Sequence, residues 1–225
     1  MDTKKLLAEL LGTFTFFLIG LMAIESTNAF GKLPGAVQGA DLLVIAFGFG
    51  LGLFAAIQVF GGISGGHFNP AVTVAAVLDG RLDAMTGVGY IVSQLVGGIA
   101  AAAVVLTMTS QAAVAGTATV PGGGLNDIQA LIVETLFTAF FIAVILTSTR
   151  KTPSHAAFAI PLTLVVIHLA IVPFTGASVN PARSIASAVI GARLDSLWVY
   201  LVGPIVGAAV GWAVYRFVNE DADAV

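Results

Sequence analysis

The triplet Asn-Pro-Ala occurs twice in this chain, as Asn69-Pro70-Ala71 and Asn180-Pro181-Ala182. Each copy follows a Gly/Ser-rich stretch, sits between two long apolar runs and opens a short apolar segment, VTVAAVLDGR or RSIASAVIGAR. Each apolar part is about ten residues; at about 1.5 Å per residue a helix of that length reaches roughly 15 Å, half the hydrocarbon thickness of a bilayer. Asn is a favoured N-cap, and Pro suits the first helical position because its missing N–H is not needed there. Both segments are therefore expected to be half-helices that start at the Asn. One copy alone would read as an amphipathic surface helix. Two copies at equivalent points of a repeat point to a pair that meets end to end inside a membrane and completes a seventh, broken span.

Composition supports a membrane setting. Of 225 residues 58% are hydrophobic and 9% are charged, against roughly 25% charged in a soluble domain, and the mean hydropathy is +1.01. Six runs approach the roughly 20 apolar residues a span needs: about 5–25, 41–60, 87–108, 128–149, 156–173 and 197–218. They are continuous rather than alternating, which argues for helices over barrel strands. The first run is too long for a cleaved leader and is interrupted by Glu9, so it is read as a retained span. The net charge of −3, without a basic patch, gives no sign of nucleic acid binding. Without Cys there is no disulfide, thiol chemistry or Cys metal site. The three His have no metal-binding spacing, and no nucleophile–base set or phosphate loop suggests an enzyme or a cofactor.

Lys4, Lys5, Arg81, Arg150, Lys151 and Arg216 fall on one side of a six-span bundle, and Lys32 and Arg193 on the other. The excess of cations marks the first side as cytoplasmic, with both termini inside. The acidic Glu220-Asp221-Ala222-Asp223 end reads as a solvated tail.

The halves, about 5–108 and 128–218 of one 225-residue membrane domain, resemble each other. Glu9-x3-Thr13-Phe14 recurs loosely as Glu134-x3-Thr138-x-Phe140, and Leu82-Asp83 after the first short segment recurs as Leu194-Asp195 after the second. Three spans per half invert the second half in the membrane, and inverted repeats place their site near the midplane. The expected fold is all-α: six transmembrane helices plus two re-entrant half-helices in an inverted repeat.

The residues carrying this pattern, Ser64-Gly65-Gly66-His67-Phe68-Asn69-Pro70-Ala71-Val72-Thr73 and Ser178-Val179-Asn180-Pro181-Ala182-Arg183-Ser184, together with Glu9 and Glu134, resemble the aquaporin (major intrinsic protein) family over essentially the whole chain. The resemblance implies a plasma-membrane homotetramer with one pore per protomer, conducting water through lipid-embedded subunits without a cofactor. Facing half-helix N-termini would concentrate positive potential, about half a unit charge each. The Asn69 and Asn180 side chains would cap their loops by oxygen and leave their NH₂ groups to water, while carbonyls of Gly65, Gly66, His67, Gly176, Ala177 and Ser178 accept hydrogen bonds from the file of waters. Glu9 and Glu134 would anchor the loops by accepting loop N–H groups. A charge inside a membrane is costly and points to function. Arg183 would, by resemblance, form a constriction with Phe49, His168 and Ala177, in which His168 protrudes, donates and narrows the ring to about one water. Taken singly, His168 and Phe49 read as core residues; the set gives them another meaning.

By the same resemblance, His168, Ser184 and Ala188 favour water, Leu201 after Tyr200 is closer to the glycerol type, and the small Ala177 would widen the ring slightly and leave passage of a small solute open. A secondary transporter is a further alternative, but no carboxylate lies near either Asn-Pro-Ala. A non-conducting scaffold lacks any partner-binding tail. Gly203-x3-Gly207-x3-Gly211, Gly48, Gly50, Gly52, Gly97 and Gly98 are candidates for close helix packing.

Overall fold

The computed structural model describes residues 2–30 and 39–219; Lys32 and the Glu220-Asp221-Ala222-Asp223 tail lie outside the described residues. The chain runs through α1 (Thr3–Phe30), α2 (Ala40–Ala56), α3 (Gly62–Ser64), α4 (Pro70–Leu78), α5 (Ala84–Met108), α6 (Gln111–Gly116), α7 (Asp127–Lys151), α8 (Pro153–Thr175), α9 (Pro181–Gly191) and α10 (Leu197–Asn219). A π-helical turn, Ile57–Gly61, continues α2 into α3. Among the described residues there is no strand. Six segments of the described residues are long and apolar enough to cross a membrane: α1, α2 through α3, α5, α7, α8 and α10.

These helices begin at their caps rather than at their first apolar residue. Asp83 accepts the Thr86 N–H at 2.9 Å and starts α5 three residues before the apolar run. Asn126 and Gln129 form a reciprocal capping box at α7, 2.9 and 3.0 Å, and Pro153 takes the first turn of α8.

The two halves pack alike. α1 lies against α2 and α5, and α7 lies against α8 and α10. In lipid there is no hydrophobic drive between helices, so contact comes from small residues that let backbones approach. A Cβ on Gly207 would come within 2.5 Å of the Thr135 carbonyl, one on Gly203 within 3.0 Å of the Glu134 Cβ, and one on Gly97 would strike the Leu10 carbonyl. The α10 glycine stripe therefore seats α10 on α7 within one subunit. Large apolar side chains such as Leu43, Val59, Ile132, Leu136, Phe140 and Val166 face outward, as a lipid-facing surface requires.

Between the halves lie the short α4 and α9, each with Asn as N-cap and Pro in its first turn. Their N-terminal ends touch. The Asn69 amide Nδ2 donates to the Val179 carbonyl at 2.8 Å, and the Asn180 Nδ2 donates to the Phe68 carbonyl at 3.0 Å. At one end of the bundle Arg81 donates to the Thr149 hydroxyl, the Leu146 carbonyl and the Tyr215 hydroxyl, and Arg150 also reaches Tyr215. Arg193 lies at the other end beside Asp195.

Candidate pore between the half-helices

A cavity of about 480 Å³ runs from Lys5, Arg81 and Thr149 at one end of the bundle to Phe49, His168 and Arg183. It passes the loop residues Gly65, Gly66, His67, Ser178 and Val179 on the way, and both Asn69 and Asn180 border it. One wall is apolar, from Leu53, Ile57, Val72, Phe141, Ile145 and Leu164. Gly176 and Ala177 do not line it; Ala177 is fully buried beside the ring end.

The loops are shaped by left-handed backbone in matched places. Four residues before each Asn stand Gly65 and Gly176, at φ 95° and 76°. Three before stand Gly66 and Ala177, at 67° and 50°, and one before stand Phe68 and Val179, at 48° and 44°. For non-glycine residues this conformation costs about 1–3 kcal/mol each and concentrates at functional sites. Among the described residues no donor reaches the carbonyls of Gly65, Gly66, His67, Gly176, Ala177 or Ser178 within the protein.

Each loop hangs on a buried carboxylate. Glu9 takes four donors: the Ser64 hydroxyl at 2.6 Å, the His67 N–H at 3.0 Å, the Phe68 N–H at 2.7 Å and Gln94 Nε2 at 2.8 Å. Glu134 takes the Ser178 and Val179 N–H groups at 3.0 and 2.8 Å, with the Thr175 hydroxyl beside it. The missing Gln94 donor has a sequence cause: the α10 position corresponding to Gln94 is Pro204, which carries no donor. Tyr90 donates to the Ser64 carbonyl at 2.8 Å, whereas Tyr200, its counterpart on α10, has a buried hydroxyl without a partner.

The Asn pair differs from expectation in one respect. Each side-chain oxygen caps its own helix, at 2.8 Å to the Ala71 N–H and 3.1 Å to the Ala182 N–H. Each NH₂ is not wholly free, because one of its two N–H bonds braces the opposite loop. One N–H per Asn is left for the cavity.

Phe49 and His168 stack, with ring centroids 4.7 Å apart and planes at 24°, and the Arg183 guanidinium carbon lies 5.2 Å from the Phe49 centroid. Arg183 Nη1 donates to the Thr117 carbonyl at 2.7 Å and to Ser187 Oγ at 3.1 Å, while its Nε, though buried, has no partner. His168 Nδ1 lies 2.9 Å from the Leu164 carbonyl. A carbonyl only accepts, so Nδ1 carries the proton, and the neutral ring presents its unpartnered Nε2 as an acceptor. The helical carbonyl one turn below sets this tautomer, in which Nε2 accepts, in contrast to the donor role expected of His168.

Gln94 and Tyr90 support the first loop, and Thr117 and Thr119 support the second, without any signal in the sequence. They come from helices and a connection far from either motif, and a lone polar residue in an apolar run has many readings. Ser64 and Thr73, inside the motif, were legible as part of it but not as a donor to Glu9 and an acceptor from Gln94.

The model of the family described as major intrinsic protein matches residues 1–215. The chain belongs to the major intrinsic protein family. Aquaporin Z of Photorhabdus laumondii is 40% identical over 228 aligned residues, covering 95% of this chain and 96% of that protein. Glycerol uptake facilitator protein-like 6 of Lactiplantibacillus plantarum is 39% identical over 227 residues, covering 97% and 99%. The X-ray structure of the aquaglyceroporin from Plasmodium falciparum superposes with a TM-score of 0.87 over 99% of both chains at 22% identity, which establishes the shared fold. As a major intrinsic protein the chain is a multi-pass membrane channel protein, with six long apolar helices among the described residues.

Proposed function

We propose that this protein is a passive water channel that excludes protons and ions and has no catalytic activity. The observation that carries this reading is the donor–acceptor arrangement along the cavity. Asn69 and Asn180 each keep one N–H for it, at the meeting point of two helix N-termini. A water there accepts at its oxygen and turns both hydrogens outward, so neighbouring waters on the two sides point in opposite senses and no continuous proton relay forms. The helix ends add about half a unit of positive charge each, which repels hydronium and metal cations. Loop carbonyls of Gly65, Gly66, His67 and Ser178, which border the cavity, take the outward hydrogens and offset lost hydration without tight binding.

At the ring, Arg183 Nε and His168 Nε2 are unpartnered and of opposite character. A water between them would accept from arginine and donate to histidine; a cation would be repelled by the guanidinium. Phe49 supplies the apolar wall, and the buried Ala177 stands behind the fourth side. Glu9 and Glu134 hold the loops. The subunit is one membrane domain, residues 1–225, with repeats at about 5–108 and 128–218. It is read as a homotetramer in the plasma membrane, with both termini cytoplasmic.

A second reading, a channel for glycerol or another small neutral solute, draws on the apolar wall, which suits a carbon skeleton, and on Ala177 and Leu201. A relative named for glycerol uptake matches about as well as one named aquaporin. The test is stopped-flow shrinkage of proteoliposomes under an osmotic step, beside glycerol uptake and proton leak. Fast water flux of low activation energy without leak is expected. Rates no better than protein-free vesicles would end the water reading, and glycerol uptake as fast as water flux would put the second reading first.

A further inference from the structure

The connection between the halves, residues 109–126, reaches the ring from behind. A Cβ on Gly191 of α9 would meet the Ala115 backbone at 2.7 Å, so α6 lies directly on the far end of that half-helix. The Gly122 N–H donates to the Phe174 carbonyl at 2.8 Å. The Gly176 backbone lies so close to Thr119 that a Cβ there would be 3.2 Å from the Thr119 Cα. Thr119 Oγ1 is 2.6 Å from Ser184 Oγ, which is 2.7 Å from Ser178 Oγ, and Ser178 donates to the Asn180 carbonyl at 3.0 Å. All three hydroxyls are buried.

Each hydroxyl has one hydrogen, so the chain has one direction. The Ser178 hydrogen goes to the Asn180 carbonyl, which can only accept. Ser184 then donates to Ser178, and Thr119 donates to Ser184. Thr119 is the head donor of a polarised chain, each bond of which strengthens the next. The chain ends beside the ring at two places: Ser184 follows Arg183, and Ser178 follows the left-handed Ala177.

We propose that Thr119 is a positioning residue of the selectivity ring, which through Ser184 and Ser178 fixes the spacing of Arg183 and Ala177 and so the discrimination between water and a small polyol. This rests on the channel reading above. The inter-repeat connection thereby becomes a specificity element, although it belongs to neither repeat.

The test uses the full chain in proteoliposomes, with Thr119→Val, Thr119→Ser and Ser184→Ala, each checked for unchanged elution as an assembled protein. Water and glycerol permeabilities are measured together, with hydrogen exchange of the Ala177–Ser184 amides. Thr119→Val and Ser184→Ala are expected to raise the glycerol-to-water permeability ratio about threefold to tenfold, the equivalent of one lost neutral hydrogen bond, and to speed amide exchange; Thr119→Ser is expected to match the parent. A folded Thr119→Val with unchanged ratio and exchange overturns the proposal. So does a general rise in exchange across all helices with the ratio unmoved. If the parent protein passes no water while Thr119→Val still loosens Ala177–Ser184 alone, the water reading falls and the positioning role stands.

Discussion

Asn69 and Asn180 each divide three tasks among few atoms: oxygen to its own helix, one N–H to the opposite loop, one N–H to the cavity. Replacing either by Asp keeps the cap but removes both donors and adds a negative charge where two helix ends concentrate positive potential. Proton and cation leak is expected to appear in a vesicle dye assay, and a tight Asn69→Asp vesicle would refute the charge argument. At the ring, His168→Ala removes the Nε2 acceptor and the face stacked on Phe49. Its expected signature is a larger rise in glycerol uptake than in water flux. Because the chain lacks Cys, mercurials are expected to leave flux through the pure protein unchanged, and clear inhibition would contradict that. The Asn pair and Arg183 stood out in the sequence because each is costly in a membrane. The sharing of the Asn N–H bonds and the His168 tautomer did not, since both depend on which carbonyl lies opposite.

The half-helices owe their position to two unequal anchors. Glu9 gathers four donors, Gln94 among them, while Glu134 takes two backbone N–H groups with Thr175 beside it and has no counterpart of Gln94. Hydrogen bonds to a charged group contribute about 1.5–3 kcal/mol each, so Glu9→Gln is expected to lower the melting temperature of the solubilised protein more than Glu134→Gln. An equal or reversed order would count against this difference in anchoring. Close packing of α10 on α7 gives a second expectation. Gly207→Val has no room against the Thr135 carbonyl, whereas Gly62→Ala meets nothing within 4 Å. Overpacking costs about 1–3 kcal/mol and more where backbone must move, so folded yield is expected to fall for the first substitution and hold for the second. Helix lengths near ten residues and Asn-Pro starts were readable in advance. The Gln94 contribution was not, because its match in the other half is Pro204 and the repeat offers no second copy to compare.

For the whole molecule the pattern of cations is informative. Arg81, Arg150 and Tyr215 cluster at one end and Arg193 lies at the other. A chain without Cys accepts single reporters cleanly: Cys at Lys151 is expected to react only from the cytoplasmic side and Cys at Arg193 only from outside, and the opposite labelling would invert the proposed orientation. Hydropathy, the two Asn-Pro-Ala triplets and their place in an inverted repeat determined the all-α fold, the number of spans and the broken seventh one. Local physics suffices there, since lipid forces every backbone group into a helix and Asn-Pro starts one. Only the tertiary structure decided how Glu9 and Glu134 divide their donors, which N–H groups face the cavity, and that residues 109–126 stand behind Arg183. Those contacts join side chains distant in sequence, and their hydrogen-bond directions exist only once the partners have met.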